Sequence, residues 1–348
     1  MAATELLLRS IDDYLGPAEG RFFSRGYQRA VYDVHTVAVT GARACDAGVT
    51  ATADITYPAD WSRKKAGVDL RPHLSTVDAL VLGVQLAEAH TAHAWGLGTA
   101  ERRTVRLAKV VLRAGTAPQE VLNDIPLSAS LTRTGPEPDE PGLHRSVYDC
   151  SVGGLRVRCE LVHPVVAEAT TGVVHDSLAD LLGPGEPRFY GEGFKLRRHT
   201  VSDVRVSVPE LTAHGAVGFT TVAGSQAPTE GIEGARQPSV SLIDCFVVTL
   251  QLAQVLMYEL DSVTRENSNT LWMMQTSLEA ARTPGPLTAG DGADALPLTA
   301  TTAVTAKRTL PLRGAVWRSV ELSGELAGIR MRATFAHELP ADAKAATA

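Results

Sequence analysis

The chain has 348 residues, about twice the usual length of one domain, so two medium domains or one very large one are expected. Apolar residues make up 44% and charged residues 21%, ample for a buried core. A formal charge of −6 and a sequence pI near 5.9 leave no basic excess to neutralise phosphates, which argues against a nucleic-acid binder. The N-terminal stretch lacks the basic and apolar regions of a signal peptide, and no run reads as a bilayer span. Cys45, Cys150, Cys159 and Cys245 show no metal spacing and read as reduced thiols. A cytoplasmic protein with neither nucleic acid nor membrane as partner is expected.

In chain order, the first distinctive segment is Ser10–Arg29, SIDDYLGPAEGRFFSRGYQR, and Ser177–Leu196 repeats it as SLADLLGPGEPRFYGEGFKL. Nine of the twenty positions are identical at an offset of 167, too many for coincidence, so an internal duplication is read. An extended segment follows in each copy, YQRAVYDVHTVAVTG from Tyr27 and FKLRRHTVSDVRVSV from Phe194. A short strand comes next, GVTATADI at Gly48 and GAVGFTTV at Gly215. The long segment from Ser75 to about Leu97, echoed from Ser241 to about Val263, is apolar on nearly every face. That pattern predicts a helix enclosed by other structure. Strands are then predicted near Thr104 and Thr270, and near Ile125 and Leu296. The last strand, GLRVRCELVH at Gly154, alternates cleanly and is matched by GIRMRATFAH at Gly328, an offset of 174. The offset drifts across polar, Gly/Pro-rich segments, where insertions are tolerated. Residues 1–166 are read as the first repeat, 167–340 as the second and 341–348 as a disordered tail.

One enclosed helix with an antiparallel meander is an α+β pattern, and it is that of the hot-dog fold, in which a curved sheet wraps a central helix. Two copies predict a tandem, or double, hot-dog: two antiparallel sheets, each around one long buried helix, joined side by side.

The phrase IDDYLGPAEGRFFSRGY and its echo resemble the avirulence D (AvrD) family, and the chain length and twofold layout agree. The resemblance implies bacterial cytoplasmic proteins that direct synthesis of syringolide-type acyl-sugar elicitors. It implies joining a β-ketoacyl thioester, carried by CoA or a carrier protein, to a ketose such as xylulose, with no further cofactor. The A-factor synthesis family, also double hot-dogs, offers an analogy of fold and chemistry. A dehydratase or thioesterase on the same scaffold, and a non-catalytic acyl-ligand binder, are the competing readings. An acyl carrier protein is a conceivable partner, and the chain is either a monomeric pseudo-dimer or a homodimer.

Asp78 and Asp244 stand at equivalent places in the first turn of the two helices, where a carboxylate can act as general base or hold a hydroxyl. STVD and SLID are also capping boxes, with Ser75 or Ser241 as N-cap, so a structural role competes. His73 stands where the second copy has Ser239, and His73 with Asp244 would copy the histidine–aspartate pair of double hot-dog dehydratases. Gln85 and Gln251, seven residues on from the aspartates, share their helix face and are candidate substrate contacts, as is Glu88. His90 and His93 have metal spacing but no third ligand, so no metal is expected and they read as surface histidines. Arg21 and Arg188 recur within the opening motif, where with Glu19 and Glu186 they pair within the motif, cap a neighbouring element or touch substrate, the motif itself reading as packing at the seam between halves. Lys64 and Lys65, beside Arg63, are placed to grip the phosphate arm of a carrier-bound acyl chain or to form a solvated loop. Arg156 and Arg158, like Arg330 and Arg332, read as a solvated strand face.

Overall fold

The computed structural model describes residues 5–65, 68–69, 71–115, 117–166, 171–266, 268, 271–281, 298–312 and 315–339. The tail expected at 341–348 lies outside them. In chain order the strands are β1 (Leu6–Ser10), β2 (Val31–Val39), β3 (Gly48–Thr56), β4 (Arg63–Lys65), β5 (Val68–Asp69), β6 (Arg106–Arg113), β7 (Ile125–Pro136) and β8 (Leu143–Val152). They continue as β9 (Leu155–Pro164), β10 (Val173–Ser177), β11 (Arg197–Ser207), β12 (Thr212–Thr221), β13 (Leu271–Glu279), β14 (Leu298–Leu312), β15 (Ala315–Leu326) and β16 (Ile329–Glu338). Two long helices, Thr76–Trp95 and Leu242–Asp261, are the first and second core helices.

Fourteen strands form one antiparallel sheet in the order β1-β11-β12-β14-β15-β16-β13-β6-β9-β8-β7-β3-β2-β10, and β4 pairs with β5 alone. Each core helix packs against the strands of its own half. This is the double hot-dog architecture. The order is palindromic about the β13–β6 junction, where Val111 pairs with Ser277, its own counterpart 166 residues on. A pseudo-twofold axis therefore passes through that pair.

Both helices are apolar all round because they are walled in all round. From Val77 to Ala92 every residue of the first is buried, and the second is buried almost throughout. Each fully buried Leu, Val or Phe contributes about 1.5–3 kcal/mol relative to exposure. The expectation that no segment is apolar enough to cross a bilayer is corrected here. Leu242–Asp261 meets that test by length and composition, and its apolar faces are satisfied by the enclosing sheet instead. On β9, Leu155, Val157, Cys159 and Leu161 face inward while Arg156 and Arg158 face out, and Arg158 bonds Asp149 across the outer face.

The opening motif explains its own repetition. β1 does not join the sheet of its own half but extends the far half by pairing with β11, and β10 reciprocally pairs with β2. Each copy of the motif then packs on the opposite helix: Tyr14 donates to Glu259 at 2.6 Å and Arg21 donates to Gln251 at 2.7 Å. In the other direction, Arg188 lies 3.7 Å from Glu88. The motif rings Tyr27 and Phe194, themselves counterparts, stack on each other with centroids 6.3 Å apart. Gly16 and Gly183 hold φ near +80° in the turn that makes this crossing, a conformation other residues adopt only with strain. The expected pairing of Arg21 with Glu19 is not what forms; Arg21 bonds Asp12 instead.

Candidate functional site

Two clefts at the seam are related by the pseudo-twofold axis, and they have diverged. One is a cavity of about 610 Å³. The latter half of the second core helix borders it through Leu250, Gln254, Met257 and Tyr258, with further apolar wall from Met273, Trp317 and Phe335. It also reaches the N-terminus of the first core helix, where Trp61, His73, Ser75 and Thr76 line it.

The counterpart cleft is filled with protein charge. Glu88 lies between Arg102 at 3.8 Å and Arg188 at 3.7 Å, all three buried. Arg102 also donates to the Leu182 carbonyl at 2.8 Å. The loop at 230–236 closes over it: Glu233 N–H donates to the Val105 carbonyl at 2.8 Å and Ala235 N–H to that of Arg103 at 2.9 Å. What remains is a polar cavity of about 210 Å³ bordered by Arg106, Glu140, Glu233 and Arg236.

Three positions account for the difference, one of them Arg102, whose counterpart is Ser268. Arg21 and Arg188 are equivalent, and each, once buried, requires a counter-charge. Arg21 takes Asp12 at the edge of the cleft and leaves the helix position Gln254 neutral. Arg188 has Ala179 where Asp12 would stand, so its partner is Glu88, the counterpart of Gln254, inside the cleft. Burial lowers the Arg21 pKa to about 10, still well above neutrality, and raises that of Glu88 against the pull of both arginines.

The Glu233 carboxylate, which accepts from Tyr190 at 3.2 Å, is pushed up to about 7 by burial. A carboxylate whose pKa is higher folded than unfolded destabilises the fold increasingly as pH rises from about 4.5 through 7. Glu233→Gln is therefore expected to be neutral at pH 4 and to stabilise by about 3 kcal/mol at pH 8. Urea unfolding at both pH values measures this, and equal effects at the two would refute it.

The two predicted aspartates are caps. Asp78 completes the Ser75 capping box and accepts from Tyr57 at 2.6 Å and Tyr32 at 2.8 Å, while desolvation pushes its pKa up. Asp244 completes the Ser241 box and is bonded by Arg197. Neither borders the open cavity. His73 does: its ring stands edge-on to Trp61 and its Nδ1 is 3.2 Å from the Arg71 carbonyl. A carbonyl only accepts, so Nδ1 donates to it, and in the neutral tautomer that this bond selects Nε2 is the acceptor. The expected His73–Asp244 pair does not form, because the N-terminus of the first helix shares its cleft with the latter half of the second helix, not with its N-terminus.

Gln251 is fully used, accepting from Arg21 and reaching the Phe23 carbonyl at 3.0 Å and His199 at 2.8 Å. Gln85 is buried and does not border the cavity, whereas Arg21 does. Arg188 and Glu88 belong to the filled cleft. Lys64 and Lys65 lie on β4, and their side chains fall outside the described residues. His90 is not a surface histidine: it is buried against Tyr148 at 2.9 Å and the Ala42 carbonyl at 3.1 Å, and burial lowers its pKa to about 4. Among the described residues, His35, Asp54 and Asp124 bring ligand atoms within 4.8 Å of one another, and none of the three borders the cavity. Sequence reasoning passed over Trp61, Tyr258 and Arg265 as cavity residues; only the asymmetry between copies at 12/179 and 88/254 carried a signal.

The family model described as Pseudomonas avirulence D protein (AvrD) matches residues 6–340. No curated protein matches the chain in sequence. Among solved structures, it is similar to Rv0216 of Mycobacterium tuberculosis, described as having a double hot-dog fold, with 10% identity over 76% of this chain and 82% of that one and a TM-score of 0.38. The 12:0-ACP thioesterase from Umbellularia californica is 9% identical over 78% and 91% of the two chains, with a TM-score of 0.37. A variant of the PpsC dehydratase domain from Mycobacterium tuberculosis is 10% identical over 87% and 96%, with a TM-score of 0.34.

Proposed function

The chain belongs to the AvrD family, and from that premise we propose that it is an acyl-transfer enzyme joining a β-ketoacyl thioester to a ketose such as xylulose. The observation that carries this reading is the open cleft at the seam: an apolar wall suited to an acyl chain, with the His73 imidazole at the N-terminus of a buried helix. In the proposed reaction Nε2 of His73 takes the proton of a ketose hydroxyl as its oxygen attacks the thioester carbon. The positive end of the helix favours the oxyanion that forms. Collapse breaks the C–S bond, and the imidazolium returns its proton to the departing thiolate. Acyl ester and free thiol are the products. Asp78 acts indirectly, by fixing the Ser75 turn that follows His73.

The test is to incubate the protein with 3-oxodecanoyl-CoA, with and without xylulose, and to weigh the products. Acyl-sugar formation that His73→Ala lowers at least a hundredfold, with the fold intact, is expected. Thioester consumed at the same rate without sugar points to hydrolysis and counts against transfer. Unchanged product formation in His73→Ala removes the imidazole from the scheme.

A further inference from the structure

We propose that Gln254 is a specificity-determining contact of the open cleft, its amide N–H donating to a neutral carbonyl oxygen of the acyl substrate. This rests on reading the cleft as an acyl-thioester site.

The second core helix carries two glutamines, and they differ in what they bond. Gln251 spends its oxygen on Arg21 and its nitrogen on the Phe23 and Val247 carbonyls. Gln254, one turn on, borders the cavity between Leu250 and Met257, half-buried, and has no hydrogen-bond partner among the described residues. An amide at the wall of a cleft must bond the ligand that covers it or lose its hydrogen bonds to water. The filled cleft shows what the same position does when the protein itself supplies the partner: Glu88 meets Arg102 and Arg188. In the open cleft the counter-charge of Arg21 has moved to Asp12, and the vacated helix position carries a neutral group that can both donate and accept. Such a group suits an uncharged carbonyl. A carboxylate at the same place would repel carbonyl oxygens and be drawn to Arg21 and Arg265, which both border the cavity.

The probe is the 3-oxodecanoyl amide of pantetheine, in which nitrogen replaces sulfur so that no transfer occurs. Trp61, Trp272 and Trp317 border the cavity and report binding by fluorescence. Gln254→Leu and Gln254→Met are each expected to bind about tenfold more weakly than the parent chain, the effect of one neutral hydrogen bond. Gln254→Glu, which cannot donate, is expected to lose at least as much. Both apolar variants suit an apolar helix, and their urea midpoints are expected to equal or exceed that of the parent. Should one fail to fold, the other decides. Parent and apolar variants binding within twofold of each other would overturn the contact while leaving the acyl site standing. No binding by the parent chain would instead remove the acyl-site reading itself.

Discussion

Residues 1–168 and 169–348, produced as separate chains, are expected to fold only when mixed. The first piece keeps β2 to β9 and its core helix but loses β10, which pairs with β2, and Arg188, which faces Glu88. The second loses β1 from the edge of β11 and Arg21 from Gln251. Each piece alone therefore exposes a sheet edge and leaves buried polar groups without partners, at roughly 1–3 kcal/mol for each group. The β6–β13 junction would be opened in both. Far-UV circular dichroism and size-exclusion chromatography test this. A 1:1 complex with the helical signal of the intact chain is the expected outcome. Cooperative unfolding of either piece alone, with a midpoint near that of the whole, would show that the exchange is dispensable.

Glu88→Leu is expected to destabilise the chain by about 3–5 kcal/mol, because Arg102 and Arg188 stay buried while their common counter-charge disappears. The pseudo-symmetry supplies a rescue. Glu88→Gln combined with Ala179→Asp gives Arg188 the kind of partner that Asp12 is to Arg21, while Arg102, which stands where the second copy has Ser268, loses its counter-charge. That pair is expected to be more stable than Glu88→Gln alone by about 1–3 kcal/mol in urea unfolding, the share owed to Arg188. A double variant no better than Glu88→Gln alone would show that Asp12 is not what frees the open cleft.

The duplication and both core helices were legible because they rest on local pattern. Fixed offsets survive in the chain, and a segment apolar on every face can only be walled in. The capping boxes at Ser75 and Ser241 were legible for the same reason, since each is complete within four residues. The exchange of β1 and β10 was not, because alternation says that a strand has one buried face and nothing about which sheet it joins. His90 was misjudged because a histidine on a helix looks the same whether solvent or Tyr148 lies opposite. The open cleft depends on what residues 12, 21, 88, 179, 188 and 254 do together across two repeats, a relation that no single window of sequence contains.

The Val111–Ser277 pair on the pseudo-twofold axis carries a consequence for how specialisation is reached. Were the halves two identical subunits about a true axis, one codon would dictate both grooves, and any carboxylate that plugged the first would plug the second. Tandem fusion breaks that tie. One groove can be sealed with an ion cluster that braces the whole molecule while its twin stays open.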